Sequence, residues 1–301
     1  MQPLSAEKIL DLWETGRPQH ALDRALTILT AASPGASRDL LADLSIGERD
    51  ARLLQLRALL FGSRAEGFAE CPRCSERVEF PLDTARFTTG GAPAWPSEGR
   101  ASARPVSSFG QHEIEVNGTR LRFRLPNSRD LAEAITASDH KDALQRLISR
   151  CVLQIQSPNE APSSSHPEPR RRRGTSQPVE NHTSLELETP APDVRSFGAL
   201  RQPQDDSDRT LSPEIVEALS RAMLEADPEA EIMFRLTCPA CAHEWELLFD
   251  VAEFFWTEIS AQAQRLLREI DALARAYGWT EREILNLPAQ RRQTYLEMLA
   301  A

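Results

Sequence analysis

Four of the five cysteines form two Cys-Pro-x-Cys turns, Cys71-Pro72-Arg73-Cys74 and Cys238-Pro239-Ala240-Cys241. Such a turn supplies two thiolates on one side of a metal, and zinc takes four ligands at tetrahedral angles. One pair fills half the sphere and a second completes it. The spacing therefore predicts one structural zinc held by Cys71, Cys74, Cys238 and Cys241. Against this stand the 163 residues between Cys74 and Cys238. Closing so long a loop costs about 4–5 kcal/mol, whereas structural zinc in small peptides contributes about 10–16 kcal/mol. Metal outweighs closure. Two other chemistries share the spacing. A thioredoxin-like redox motif belongs at a strand-to-helix junction, and both pairs here read as hairpins. Two separate zinc sites would need further ligands. His243 could serve the second pair, but nothing similar flanks the first. His243 is expected to face solvent, and Cys151, in an apolar helical segment, to be a buried small hydrophobe.

The two pairs sit in an internal repeat. Cys71 to Phe87 and Cys238 to Phe254 align without a gap and agree at seven of seventeen positions. These are both cysteines, the proline, Glu79/Glu246, Asp83/Asp250, Ala85/Ala252 and Phe87/Phe254. Val78, Phe80 and Leu82 alternate as Trp245, Leu247 and Phe249 do, one face of a strand in each copy. Ile232, Phe234 and Leu236 alternate into the second turn, and Phe68 hints at the same for the first. Each copy reads as strand, cysteine turn, strand, then an aspartate placed to cap a helix. Ser75 and Ala242 stand where many zinc knuckles carry glycine, which predicts mild backbone strain.

Helical segments must hold these hairpins. Ile9, Leu12 and Trp13 mark a helix stopped by Gly16. Leu22, Ala25, Leu26 and Leu29 mark a second, ending before Pro34-Gly35. Ser45 and Glu48 have capping-box spacing for a third, with Leu53, Leu56, Leu59 and Leu60 as its buried stripe. In HEIEVNGTRLRFRLP, alternating apolar residues flank Asn117-Gly118, a type I′ hairpin signal. Asn127 or Ser128 caps a helical stretch through Leu131, Ile135, Leu144, Leu147 and Ile148, broken near Ser138-Asp139. Ser212-Pro213 opens another helix, along Ile215, Leu219, Ala222 and Met223 to Asp227-Pro228. Asp250 and Glu253 open a long one along Phe255, Ile259, Ala263, Leu266, Ile270, Leu273 and Tyr277, ended by Gly278. Thr280 with Glu283, and then Pro288, begin two more.

The predicted fold is α+β: helical N- and C-terminal segments around a split zinc ribbon of two pseudo-equivalent β-hairpins, with a long disordered insertion. Its parts are an N-terminal helical segment (1–62), the first knuckle hairpin (63–87), a loose loop (88–111) and a β-hairpin with helices (112–156). A disordered linker (157–209) precedes the second knuckle and C-terminal helices (210–301). In the linker few large apolar residues offset roughly 1–2 kcal/mol of backbone entropy per residue. Its Arg170–Arg173 run reads as solvated charge.

Proline at 21 exceeds glycine at 13, the apolar fraction is 41%, and the net charge is −10. That charge disfavours nucleic acid and anionic lipid as partners. Ser63 to Phe87 carries four arginines against five acids, and Glu229 to Phe254 one against six. A phosphate-binding ribbon should be basic. No run of about 18 apolar residues would span a membrane, and the N-terminus lacks the pattern of a signal peptide, so the expected location is cytoplasmic. Neither clustered histidines, a phosphate-binding glycine loop nor a nucleophile elbow is present, and four cysteines leave a zinc no open position. The expectation is a non-enzymatic protein.

The order of these pieces resembles the bacteriophage baseplate hub assembly chaperone family, of the T-even type. The resemblance rests on LSIGERDARLLQLRALLFG running into FAECPRCSERVEFPLD, on FRLPNSRDL, on CPACAHEWELLFDVAEFFW and on ARAYGWTEREILNLPAQRRQTYLEML. It implies an assembly factor for the baseplate or hub of a contractile tail or related injection system, with the four cysteines as zinc ligands. Baseplate or hub proteins would then be its partners, with Tyr277, Trp279, Ile284 and Leu285 as candidates for the contact; packing within the chain is the alternative reading of these four. Two alternatives remain: a permanent baseplate component, and a zinc-ribbon regulator that binds nucleic acid.

Overall fold

In the computed structural model, residues 1–84, 110–156 and 211–300 are described. The 157–209 linker with Arg170–Arg173, all but the end of the 88–111 loop, and any helix capped by Asp83 lie outside them. Four helices open the chain: α1 (Ala6–Gly16), α2 (Ala21–Ala32), α3 (Arg38–Ala42) and α4 (Ile46–Phe61). Polar caps start them. The Ser5, Ser37 and Ser45 hydroxyls accept from the N–H groups of Lys8, Leu40 and Glu48, each satisfying one of the donors a helix start leaves orphaned. Leu53, Leu54 and Leu56 are fully buried on α4, but Leu59 is 57% exposed. The expected stripe fails there because Leu59 lies about 240° round the helix from Leu53.

Strands β1 (Arg64–Glu70) and β2 (Arg77–Asp83) form the first cysteine hairpin. Val78, Phe80 and Leu82 point inward as their alternation predicts. Phe68 does not. It is half exposed beneath the Arg77 guanidinium, 4.0 Å from the ring centroid, while buried Gly67 leaves room for Phe80.

A second module follows. Strands β3 (His112–Val116) and β4 (Thr119–Phe123) turn at Asn117 and Gly118, both at positive φ as a type I′ turn requires. Helices α5 (Ser128–Ile135) and α6 (His140–Cys151) lead into β5 (Val152–Gln156), which pairs antiparallel with β4. Neither β5 nor α3 was expected. Both are only five residues long, too short for a periodicity to show. Cys151 ends α6 and is fully buried, as expected. Ile135 is not buried; at the end of α5 it is 55% exposed.

The last described stretch contains α7 (Pro213–Ala226), a 3₁₀ turn at Pro228–Ala230, then β6 (Met233–Thr237) and β7 (Glu244–Leu248) as the second cysteine hairpin. Helix α8 (Val251–Tyr277) is capped by Asp250 and closed by left-handed Gly278. Helices α9 (Glu281–Asn286) and α10 (Ala289–Ala300) pack against it. Its stripe is buried at Phe255, Ile259, Ala263, Leu266 and Leu273, whereas Tyr277 is 37% exposed at the end.

One hydrophobic cluster unites the two ends of the chain. It runs from Leu10, Leu29 and Leu53 through Leu82 to Ile232, Phe249, Phe255, Ile259 and Leu266. Polar ties cross the same seam. Arg57 holds Glu258 through two N–H···O bonds of 2.9 and 2.7 Å, and the Gly47 N–H donates to Asp227 Oδ2 at 2.9 Å. Glycine at 47 is required there: a Cβ would come within 2.0 Å of Asp227 Oδ1. Both hairpins therefore rise from one body.

Candidate metal centre

The two cysteine turns have the same backbone geometry. In the first, Cys71 N–H donates to Glu76 O and Ser75 N–H to Cys71 O, both at 2.9 Å. In the second, Cys238 N–H donates to His243 O and Ala242 N–H to Cys238 O, again at 2.9 Å. Each turn closes only if the residue after its second cysteine is left-handed, and Ser75 (φ 59°) and Ala242 (φ 56°) adopt that conformation. The strain expected at these positions is present. Glycine would hold the same turn without it.

Aromatic packing brings the hairpins face to face. Phe80 of β2 meets Phe234 of β6 with ring centroids 5.0 Å apart, and Phe234 meets Phe249 at 5.5 Å. The four Sγ atoms then lie within 4.8 Å of one another. Cys71 and Cys241 approach to 3.7 Å, and Cys74 and Cys238 to 3.6 Å. A disulfide needs about 2.05 Å, so these are free thiols. Tetrahedral metal–sulfur bonds of about 2.3 Å require edges of about 3.8 Å, which the two short separations match. The four residues fit a metal ion. Cys71 and Cys238 are buried, Cys241 is half-buried and Cys74 reaches solvent, so one corner of the centre is open to exchange.

Electrostatics support the same reading. Burial opposes ionisation of Cys71, but the backbone N–H groups of Arg73 and Cys74, with the adjacent thiols, pull it down to about 7. At Cys74 the Glu76 N–H favours the thiolate, yet the Cys241, Cys238 and Cys71 thiols and desolvation push it up to about 12. Groups this close titrate as a set: one proton leaves readily and the next is held. A divalent cation is what allows four thiolates to coexist in so small a space.

His243 is not among the clustered ligands. It stacks on Trp245, half-buried, with centroids 6.2 Å apart. Cys151 lies elsewhere, its Sγ 4.0 Å from Asp130 Oδ2. Burial and the Asp130 charge push its thiol up to about 12. Sequence reasoning missed the Asp130 cluster around it. Buried Asp130 accepts from Arg124 at 2.6 and 2.8 Å and from Arg150 at 2.8 Å, and completes a capping box with Asn127. The FRLPNSRDL segment carried the signal, since Asn127 and Asp130 have the box spacing. No helix among the described residues is long and apolar enough to cross a membrane.

Fold and centre together define a mixed helical protein in which two small antiparallel hairpins meet at a four-thiol cluster able to hold a metal ion. A family model described as T4 bacteriophage base plate protein matches residues 4–256, and the chain belongs to that family. No curated protein and no solved structure matches it.

Proposed function

We propose that this chain is a non-enzymatic assembly factor, or chaperone, for the baseplate or hub of a contractile tail or related injection system. It acts in the cytoplasm and is stabilised by a structural Cys₄ zinc. The observation that carries the reading is the family match across residues 4–256, which takes in all four clustered cysteines. An all-sulfur, four-ligand set suits a structural metal, because catalytic zinc keeps a position free for water or substrate. The small tetrahedron of thiols has room for a single ion and not for a multi-iron cluster. Elemental analysis should return one zinc per chain and a colourless protein, whereas iron with visible absorbance would replace this assignment.

A permanent baseplate component is the second reading, favoured by the same family match. Mass spectrometry of purified finished tails separates the two. A chaperone is absent from them, and a component is present in fixed stoichiometry. The acidic hairpins weigh against a nucleic-acid regulator; tight, saturable gel-shift binding at physiological salt would restore it.

A further inference from the structure

We propose an oxyanion-binding site in the cleft between α2 and α5, a feature separate from the metal centre. The cleft has a volume of about 330 Å³; its polar lining is His20, Arg38, Ser128 and Arg129 together with two carboxylates, Asp23 and Asp39. The first turns of two helices open onto it, α2 of 12 residues and α5 of 8. Helix starts carry partial positive charge and orphan N–H donors. Their caps reach only part of these: His20 Nδ1 accepts from Leu22 N–H, and Asn127 Oδ1 from the N–H groups of Arg129 and Asp130.

The second observation is Ser128. It is 2% exposed, lines the cleft, and its Oγ has no hydrogen-bond partner among the described residues. A buried hydroxyl without a partner is costly, and an acceptor entering the cleft would relieve it. Arg129 and Arg38 flank the same space. At present Arg129 pairs with the surface carboxylates Asp39 and Asp43, and Arg38 with Asp23 and the Thr27 hydroxyl. The Asp39 side chain is 84% exposed, and so open a pair holds weakly. An incoming oxyanion can replace Asp39 on Arg129 and also accept from Ser128 Oγ, which Asp39 does not. The apolar wall from Leu22 to Ile135 suits a group carried on an apolar stem. The ligand class is a carboxylate or phosphate oxyanion, either an acidic side chain of a partner protein or a small free anion.

The site is tested on the full metal-loaded chain by amide NMR. Sodium acetate and sodium phosphate are titrated separately, against sodium chloride at matched ionic strength. The Leu22, Ser128 and Arg129 amides should shift saturably with an oxyanion and not with chloride. Arg129→Gln should weaken the apparent affinity about tenfold and Ser128→Ala several-fold, as expected for lost charge-assisted and neutral hydrogen bonds. A melting temperature that is not lowered in Ser128→Ala, and is close to the native one in Arg129→Gln, confirms that the fold is intact. Saturation by acetate alone assigns the site to carboxylates, and by phosphate alone to phosphate groups. A linear response, an equal response to chloride, or unaltered binding in both variants overturns the proposal.

Discussion

At the residue scale the cysteine turns are governed by two requirements, thiolate charge and a left-handed residue. Metal binds thiolates, so binding at neutral pH must displace protons, and affinity must fall as pH falls. Against the pull of the Glu76 N–H, the neighbouring thiols raise Cys74, so the cluster as a set retains thiol protons at neutral pH that a metal must displace. Calorimetry in buffers of different ionisation enthalpy should therefore register net proton release, and a chelator should strip the metal faster at pH 5 than at pH 8. Cys238→Ser should abolish binding. Retention of one metal by the Cys71→Ser/Cys74→Ser double variant would show that the pairs do not share it. Ala242→Gly should raise the melting temperature, because glycine occupies φ 56° without the Cβ clash. A gain of up to about 1 kcal/mol, some 2–4 °C, is expected.

At the element scale, two junctions hold helices to the rest of the molecule. Helix α4 begins against Asp227, whose carboxylate fills the place a Gly47 side chain would need. Gly47→Ala should cost about 1–3 kcal/mol through overpacking, read as a lower midpoint in urea. The second junction is Asp130. Burial opposes its ionisation, but Arg124 and Arg150 outweigh that and hold its carboxyl below the ordinary range. Asp130→Asn should cost about 1–3 kcal/mol at pH 7, because charge-assisted bonds are lost while the partly exposed Arg124 and Arg150 remain solvated. A carboxyl depressed in the folded state stabilises above its unfolded value, and the benefit disappears as pH falls through the folded one. Denaturation of native chain and variant should therefore converge in acid and separate near neutrality.

At the scale of the whole molecule, the four-thiol cluster is not the sole joint between the two ends of the chain. Leu29, Leu53 and Leu82 share a core with Phe249, Phe255 and Ile259, and Arg57 clasps Glu258 across the same seam. Removing the metal should lower the melting temperature yet leave the hydrodynamic radius and most of the helical circular dichroism in place. A chain that expands to an unfolded radius on chelation would show instead that the metal carries the fold.

Much of this was legible from the residues. The repeat predicted equivalent hairpins because cysteine spacing, period-two alternation and the capping aspartate are local properties, each enforced within a few residues by backbone geometry. The caps at Ser45, Asn127, Asp250 and Thr280 and the Asn117-Gly118 turn were readable for the same reason, whereas Ser212, expected to cap the Pro213 helix, makes no side-chain cap bond. Burial at element ends was less so. Leu59, Phe68 and Ile135 are apolar yet exposed, since their environment depends on what packs there and not on their own type. Strand β5 exists through its pairing with β4, a partner its five residues do not announce. By itself the sequence determined which thiols could bind metal and how each pair is turned. That all four converge was an expectation of the sequence that only the tertiary structure decided, because the packing of Phe80 on Phe234 and the shared helical core set the distance between pairs 163 residues apart.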